Sequence, residues 1–80
     1  MKQYHIFHST GVDMFKEIKK QPRQYAGYVE AESLEAAYCH SQNPDPQWEY
    51  AQTRSTSVGD VIQEDDRFYM ICSMGFEELV

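Results

Sequence analysis

The segment TRSTSVGDVI, residues 53–62, is the part of the sequence that looks most like a chemical motif. A phosphate-binding loop needs several glycines, or a Gly-Lys-Ser/Thr ending before a helix, whereas Gly59 stands alone before a β-rich stretch. The Gly-x-Ser-x-Gly arrangement of a serine nucleophile is also absent. Gly59 and Asp60 form a typical turn pair, and the Asp60 carboxylate can accept backbone N–H groups. The segment therefore predicts a turn that begins a strand. Three hydroxyls are predicted to lie on the surface before this turn: Ser55, Thr56 and Ser57.

The histidines and cysteines do not have the spacing of a metal site. His5 and His8 are three residues apart, so on a strand their side chains point to opposite faces. Cys39 and His40 are adjacent, so on a helix they diverge by about 100°. A zinc site assembled by the fold from Cys39, Cys72 and one histidine remains an alternative. The pattern favours two reduced cysteines that are partly or wholly buried, with no bound metal or cofactor.

Residues 16–25, KEIKKQPRQY, are the one basic cluster of the sequence. As a nucleic-acid surface the cluster would use four cations and one aromatic ring: Lys16, Lys19, Lys20, Arg23 and Tyr25. Nucleic-acid-binding domains normally carry a net positive charge, whereas the formal net charge of this chain is −6. The charge therefore favours a solvated helix face, and nucleic-acid binding is the second hypothesis.

The excess negative charge lies in the second half of the chain. Residues 1–40 contain five basic and five acidic side chains, whereas residues 41–80 contain two basic and eight acidic ones. We predict that five carboxylates form a surface for a basic partner: Glu64, Asp65, Asp66, Glu77 and Glu78. Because Glu77 and Glu78 are adjacent on a predicted strand, they point to opposite faces, which argues against a paired-carboxylate hydrolase site.

The N-terminal part of the sequence predicts a strand followed by a helix or a loop. Residues 4–8 alternate in the manner of a strand, with Tyr4, Ile6 and His8 on one face. In residues 9–24 apolar side chains recur at three-residue spacing, at Val12, Phe15 and Ile18. This spacing predicts a short helix that ends before Pro22, with a lysine-rich loop as the alternative.

A strand followed by a capped helix is the unit that the sequence predicts best. Residues 25–32 alternate and predict a half-exposed strand. One face of this strand is predicted to hold Tyr25, Gly27, Val29 and Ala31. Ser33 is a typical helix N-cap, because its hydroxyl can accept from the unpaired N–H groups of the first turn. The apolar stripe of the following helix has helical spacing: Leu34, Ala37, Tyr38 and Ser41.

The remaining sequence predicts a connector and three strands. Residues 44–54 begin as a connector with two prolines, in which Trp48 and Tyr50 form either a short strand or a plug over the core. The predicted strands are 58–63, 67–73 and 76–80, with 64–67 as a hairpin loop. Residues 68–72 are apolar on both faces and are the predicted central strand.

The last third of the chain, residues 54–80, resembles a known family. RSTSVGDVI, a short turn and then FYMICSMGFEEL are similar to the C-terminal signature of the YodL-like small proteins of phages, plasmids and other mobile elements. The shared order is Ser-Val-Gly-Asp-Val, a hairpin, a β-rich strand, and Gly-Phe followed by acidic or apolar residues. This resemblance implies a mobile-element setting, and it implies neither an activity nor a functional residue.

Together these patterns predict a single α+β domain over residues 1–80. Its fold is a small antiparallel or mixed sheet of about four to five strands with one or two helices on one face. No apolar stretch approaches the ~20 residues of a membrane span, and we expect a cytoplasmic protein. Because no catalytic constellation is present, the predicted function is a small, acidic, non-enzymatic protein-interaction module, with nucleic-acid binding as the alternative.

Overall fold

The computed structural model describes residues 1–10, 22–49 and 53–79. In these ranges the chain forms β1 (Lys2–Ser9), β2 (Arg23–Ala31), α1 (Leu34–His40), α2 (Pro46–Glu49), β3 (Val61–Glu64), β4 (Arg67–Cys72) and β5 (Gly75–Leu79). Neither helix in these ranges is long and apolar enough to cross a membrane. Most of the predicted helix or loop at 9–24 lies outside the described residues.

The five strands form one antiparallel sheet in the order β2-β1-β3-β4-β5. This result confirms an antiparallel sheet and gives its strand order. The middle strand is β3, which pairs with β1 on one side and with β4 on the other. Residues 68–72, predicted as the central strand, belong to β4, which is an interior strand one position nearer the edge.

Both described helices pack on one face of the sheet, which we call the helix face. Alternation in β1 is confirmed, because Tyr4, Ile6 and His8 all point to this face and are buried. Among the described residues, the core between sheet and helices contains eight buried side chains: Tyr4, Ile6, Val29, Ala31, Ala37, Trp48, Ile62 and Ile71. The other face of the sheet we call the open face.

The capped helix has the predicted form. Ser33 has an extended backbone (φ −156°, ψ 169°), and its hydroxyl accepts a hydrogen bond from the Ala36 N–H at 3.1 Å. Of the predicted stripe, Ala37 and Ser41 are buried and the other two side chains pack against the core. The cap satisfies one of the free N–H groups at the start of the helix, so α1 begins where the sequence predicts.

Trp48 closes the core from α2. Its side chain is fully buried, and its indole Nε1 donates to the Arg54 carbonyl at 2.8 Å. The plug is therefore confirmed, and a strand through Trp48 is wrong, because Pro46–Glu49 is helical. Tyr50 lies outside the described residues.

A β-bulge in β2 changes which residues share a face. Ile6 pairs with Gly27, but Phe7 pairs with Tyr25, so Ala26 is an extra residue with no partner on β1. Gly27 has a φ of 146°, which a residue with a side chain rarely adopts. The alternation predicted for this strand is wrong at Tyr25, because the bulge turns Tyr25 to the open face beside Phe7.

The C-terminal strands follow the prediction closely except at one boundary. β3 begins at Val61, whereas Val58, predicted inside that strand, lies in the preceding turn and is 54% exposed. Asp65 and Asp66 form the turn between β3 and β4, so the predicted hairpin loop is confirmed.

The two cysteines are both free thiols. Cys72 is half-buried, as the sequence predicts, but Cys39 is exposed. The predicted burial of Cys39 is wrong because its position on α1 points away from the stripe that packs on the sheet.

Candidate functional site

The TRSTSVGDVI segment folds around the fully buried carboxylate of Asp60. The Arg54 guanidinium donates to both carboxylate oxygens, at 2.7 and 2.9 Å. The backbone N–H groups of Ser57 and Ser9 donate to them at 2.8 and 2.7 Å. Asp60 thus joins its own turn to the end of β1, and β3 begins at the next residue. The predicted strand-starting turn is confirmed.

The charge of Asp60 is stabilised by this set of donors. Burial alone would raise the pKa of the carboxyl group, but the hydrogen bonds from Arg54, Ser9 and Ser57 outweigh it and lower the pKa below its ordinary value. Asp60 is therefore a charged, buried and fully partnered group at neutral pH.

His8 and Thr56 lie beside Asp60, so the residue types of a catalytic triad meet at this point. His8 Nε2 is 3.0 Å from the Thr56 Oγ1 and 3.9 Å from an Asp60 oxygen. In a triad the acid holds the ring nitrogen that does not contact the hydroxyl, whereas here one nitrogen faces both groups. Thr56 is 1% exposed, so a substrate has no access to its hydroxyl.

The same burial corrects the prediction for the hydroxyl run. Thr56 is buried, Ser55 is half-buried and Ser57 is exposed, so the three hydroxyls do not share a surface. Burial lowers the pKa of His8, and the nearby Asp60 carboxylate offsets only part of this effect. This buried cluster is a structural element that fixes the turn.

Two of the predicted interaction carboxylates lie near the N-terminal end of β1. The Lys2 ammonium is 3.7 Å from a Glu64 oxygen and 3.5 Å from an Asp65 oxygen. Glu64 also accepts a hydrogen bond from the Tyr4 hydroxyl at 2.8 Å. Burial and the Glu64 carboxylate together raise the pKa of Tyr4 to about 12. These two carboxylates therefore have local partners.

The other three predicted carboxylates lie in the β3–β4 turn and on β5. Asp66 is exposed in the turn. Glu77 pairs with Met70 and points to the open face, whereas Glu78 points to the helix face, 4.0 Å from the Arg67 guanidinium. The structure therefore brings Glu64, Asp65 and Asp66 together and places Glu77 and Glu78 on opposite faces of the β5 edge.

The open face carries a row of rings that the sequence pattern did not predict, and we call it the ring track. It consists of Tyr28, His5, Tyr25, Phe7 and Phe68. Successive ring centroids are 6.1, 5.7, 5.4 and 6.2 Å apart. Tyr28 is 52% exposed, Tyr25 49% and Phe68 38%. The alternation of residues 4–8 predicted that His5 and Phe7 share one face. No sequence pattern indicated the bulge that adds Tyr25 to the track.

A shallow, mostly apolar depression lies at the Phe68 end of the ring track. It has a volume of about 390 Å³ and is lined by Phe7, Arg23, Val61, Phe68 and Leu79. Val61 is only 3% exposed and forms part of its floor. An apolar side chain of a partner would fit this depression better than a charged one.

The predicted basic cluster reaches the open face through two residues. Tyr25 is part of the ring track, and the Arg23 Nε donates to the Gly59 carbonyl at 3.1 Å. Lys16, Lys19 and Lys20 lie outside the described residues. Strand pairing places two carboxylates on this face with Arg23, those of Glu30 and Glu77.

Within residues 1–10, 22–49 and 53–79 no group of three or more metal-ligating side chains is placed to hold an ion. Comparison with protein-family models, with curated proteins and with solved structures found no match.

Proposed function

We propose that the protein is a small, non-enzymatic interaction module that binds a basic protein partner through the ring track. The observation that carries this proposal is the exposure of Tyr28, Tyr25 and Phe68 on one sheet face. A contiguous aromatic surface of this kind is more typical of an interaction site than scattered exposed apolar residues are. Tyrosine is also enriched at protein–protein contacts and at their energetic centres.

The geometry of the ring track suits a protein contact. His5 Nδ1 and the Tyr25 hydroxyl are hydrogen-bonded at 2.9 Å, and Phe7 meets Tyr25 edge to face. These contacts orient His5, Tyr25 and Phe7 relative to one another before any partner binds. A preorganised aromatic surface loses less side-chain entropy on binding than a set of mobile side chains does.

The charges around the track support a basic partner. The net charge of the chain is −6, and Glu30 and Glu77 share the open face. Asp65 and Asp66 are exposed in the β3–β4 turn. Complementary charges at the rim of an interface mainly accelerate association and select the partner. The acidic surface predicted from the sequence is thus replaced by a smaller set, and Glu30, Glu77, Asp65 and Asp66 are proposed to steer a basic protein toward the aromatic contact.

A non-enzymatic role is supported by the state of the buried polar cluster. Its one carboxylate, that of Asp60, is occupied by Arg54, Ser9 and Ser57, and its hydroxyl, that of Thr56, is enclosed. The resemblance of residues 54–80 to YodL-like proteins adds a setting to the proposal, that of a cytoplasmic accessory protein of a mobile element.

Single-stranded nucleic acid is the second candidate ligand, because a row of exposed rings can also stack bases. Such stacking contributes about 1–3 kcal/mol per base, but it is normally combined with a positively charged groove. On the described part of the open face the single cation is Arg23, which is partly buried and bonded to Gly59, against two carboxylates. The charge balance therefore favours a protein.

A displayed library of random peptides, selected on the immobilised protein, tests the proposal. We expect the enriched peptides to combine lysine or arginine with a large apolar residue. Their affinity should fall about tenfold or more in Tyr28→Ala and in Phe68→Ala, as expected for anchor residues. Val58→Ala is the control, because Val58 is about as exposed as Tyr28 and more exposed than Phe68 but lies outside the ring track.

Two results would overturn the proposal. One is a set of peptides that bind the wild type and the Tyr28→Ala and Phe68→Ala variants equally well. The other is tight binding of a single-stranded oligonucleotide at about physiological salt, lost in Phe68→Ala, which would establish the nucleic-acid candidate instead.

A further inference from the structure

We infer that β5 accepts an extended basic segment of the protein partner as a sixth strand of the sheet. This inference rests on the proposed protein-binding function and adds the mode of binding. Addition of a strand to a sheet edge is a common way to bind a peptide, because main-chain hydrogen bonds give affinity and alternate side chains give specificity. β5 has the backbone geometry and the charges for this mode.

The hairpin that forms β5 determines which of its backbone groups face outward. Ser73 and Met74 form a two-residue turn, and the flanking residues Cys72 and Gly75 pair with each other. In such a hairpin the flanking pair is hydrogen-bonded, and bonded and non-bonded pairs alternate from there. The N–H and C=O groups of Phe76 and Glu78 therefore point away from β4.

The contacts of Ile71 support this assignment independently. Ile71 faces Phe76 in the β4–β5 register, yet its N–H donates to the Asp60 carbonyl at 2.8 Å and its carbonyl accepts from Gly59 at 2.9 Å. Both backbone groups of Ile71 thus point toward the β3 side. The pair with Phe76 is a non-bonded one, so the Phe76 groups lie on the outer edge. Among the described strands, β5 pairs with β4 alone.

The side chains of β5 define the segment that would pair with this edge. Phe76 and Glu78 point to the helix face, and Glu77 and Leu79 point to the open face. An added strand therefore meets one carboxylate on each face, with an apolar residue on either side. The complementary pattern is apolar-basic-basic-apolar. Because that pattern reads the same in both directions, it suits a parallel or an antiparallel strand.

This edge is continuous with the proposed contact surface. Leu79 lines the apolar depression together with Phe68, and Phe68 belongs to the ring track. The partner residue opposite Leu79 would therefore lie beside the depression. A second copy of the chain is a poor occupant, because pairing of β5 with itself brings four glutamates together, and like charges on facing strands are destabilising.

Amide hydrogen exchange followed by NMR tests the inference on the whole chain. The probe is the capped peptide Thr-Thr-Val-Lys-Arg-Val-Thr-Thr, and the control peptide, Thr-Thr-Lys-Val-Val-Arg-Thr-Thr, has the same composition. At saturation we expect exchange of the outward Phe76 and Glu78 amides to slow about tenfold or more, with little change at Glu77, whose amide faces β4. The control peptide should bind at least about threefold more weakly, because only one of its cations can oppose the adjacent glutamates at a time.

A pair of substitutions at one position separates the backbone contact from the charge. Glu78→Gln removes the carboxylate, whereas Glu78→Pro also removes the outward N–H, which the sheet does not use, and proline is tolerated on edge strands. We expect Glu78→Pro to bind the probe at least about tenfold more weakly than Glu78→Gln does. If Glu78→Pro does not fold, the exchange pattern of the wild type decides.

Equal binding of the two peptides, or unchanged exchange at Phe76 and Glu78 at saturation, would overturn the inference. If library peptides lose affinity in Tyr28→Ala yet leave both β5 amides unprotected, the proposed function stands and the added strand is rejected. If no peptide depends on the ring track, the proposed function itself fails. A dimer of the free protein that protects the same two amides would also reject a peptide as the occupant.

Discussion

The substitution Asp60→Ala gives the sharpest test of how the TRSTSVGDVI segment works. Alanine removes the carboxylate that accepts from Arg54 and from the backbone N–H groups of Ser9 and Ser57. If this carboxylate holds the turn against the end of β1, the substitution lowers stability. It should leave peptide binding by the folded protein unchanged, because Asp60 is buried and lies outside the ring track.

The size of the effect follows from the groups that lose their partner. Two backbone donors in part-buried hydrogen bonds are left without an acceptor. An unsatisfied buried donor costs about 1–3 kcal/mol, and the lower half of that range applies to partly buried groups. Arg54 adds little, because its side chain is 46% exposed and water can solvate the guanidinium. We therefore expect a loss of about 3 kcal/mol. At the usual 0.05–0.15 kcal/mol per residue, the whole chain has only about 4–12 kcal/mol of stability.

Thermal unfolding followed by circular dichroism measures this loss. At about 4–8 °C per kcal/mol for a domain of this size, the melting temperature of Asp60→Ala should fall by about 12–24 °C. Asp66→Ala is the matched control, since the same change in the exposed turn should stay within about 0.5 kcal/mol. A decrease below about 4 °C in Asp60→Ala would refute the structural role of this carboxylate, and so would an unchanged melting temperature with loss of binding.

Three further predictions concern pH, the thiols and the helix cap. Burial lowers the pKa of His8 below its ordinary value of 6.5. Just below pH 6.5 the unfolded chain therefore binds more protons than the folded chain does, so stability decreases as the pH is lowered. Urea titrations should show this decrease in the wild type and a smaller decrease in His8→Gln. Cys39 is exposed and Cys72 half-buried, so a thiol reagent should modify Cys39 first; equal rates would contradict this, and native mass spectrometry should show the bare chain mass. Ser33→Ala should cost about 1 kcal/mol in thermal unfolding, whereas Ser33→Asp should retain the cap.

Short sequence patterns correctly predicted the structural elements that depend on interactions between neighbouring residues. The cap at Ser33 depends on a hydroxyl and an N–H group three residues apart, and the turn between β3 and β4 depends on two adjacent aspartates. Alternation in β1 predicted the burial of Tyr4, because one face of that strand packs against the helices. Each of these features is specified within a few residues, so a single sequence is enough to find it.

The partners of the buried cluster could not be predicted in the same way. The Asp60 carboxylate accepts from Ser9, which is 51 residues earlier, and His8 reaches Thr56 across 48 residues. These contacts exist because β1 pairs with β3, and no local sequence pattern indicates which strands pair. Thr56 looked like a surface hydroxyl because its own neighbours are polar, whereas the end of β1 covers it.

The ring track shows how one residue can decide a candidate site. In a regular strand Tyr25 would share a face with Val29, which is fully buried on the helix face. The extra residue Ala26 inverts the alternation, so Tyr25 emerges on the open face between His5 and Phe7 and joins them into one surface. Because Gly27 at the bulge has a φ of 146°, any larger residue there is strained. Gly27→Val should therefore destabilise the bulge. Because the bulge places Tyr25 on the open face, the same substitution should also lower the affinity for peptides. The proposed function thus depends on a backbone feature that lies outside the ring track.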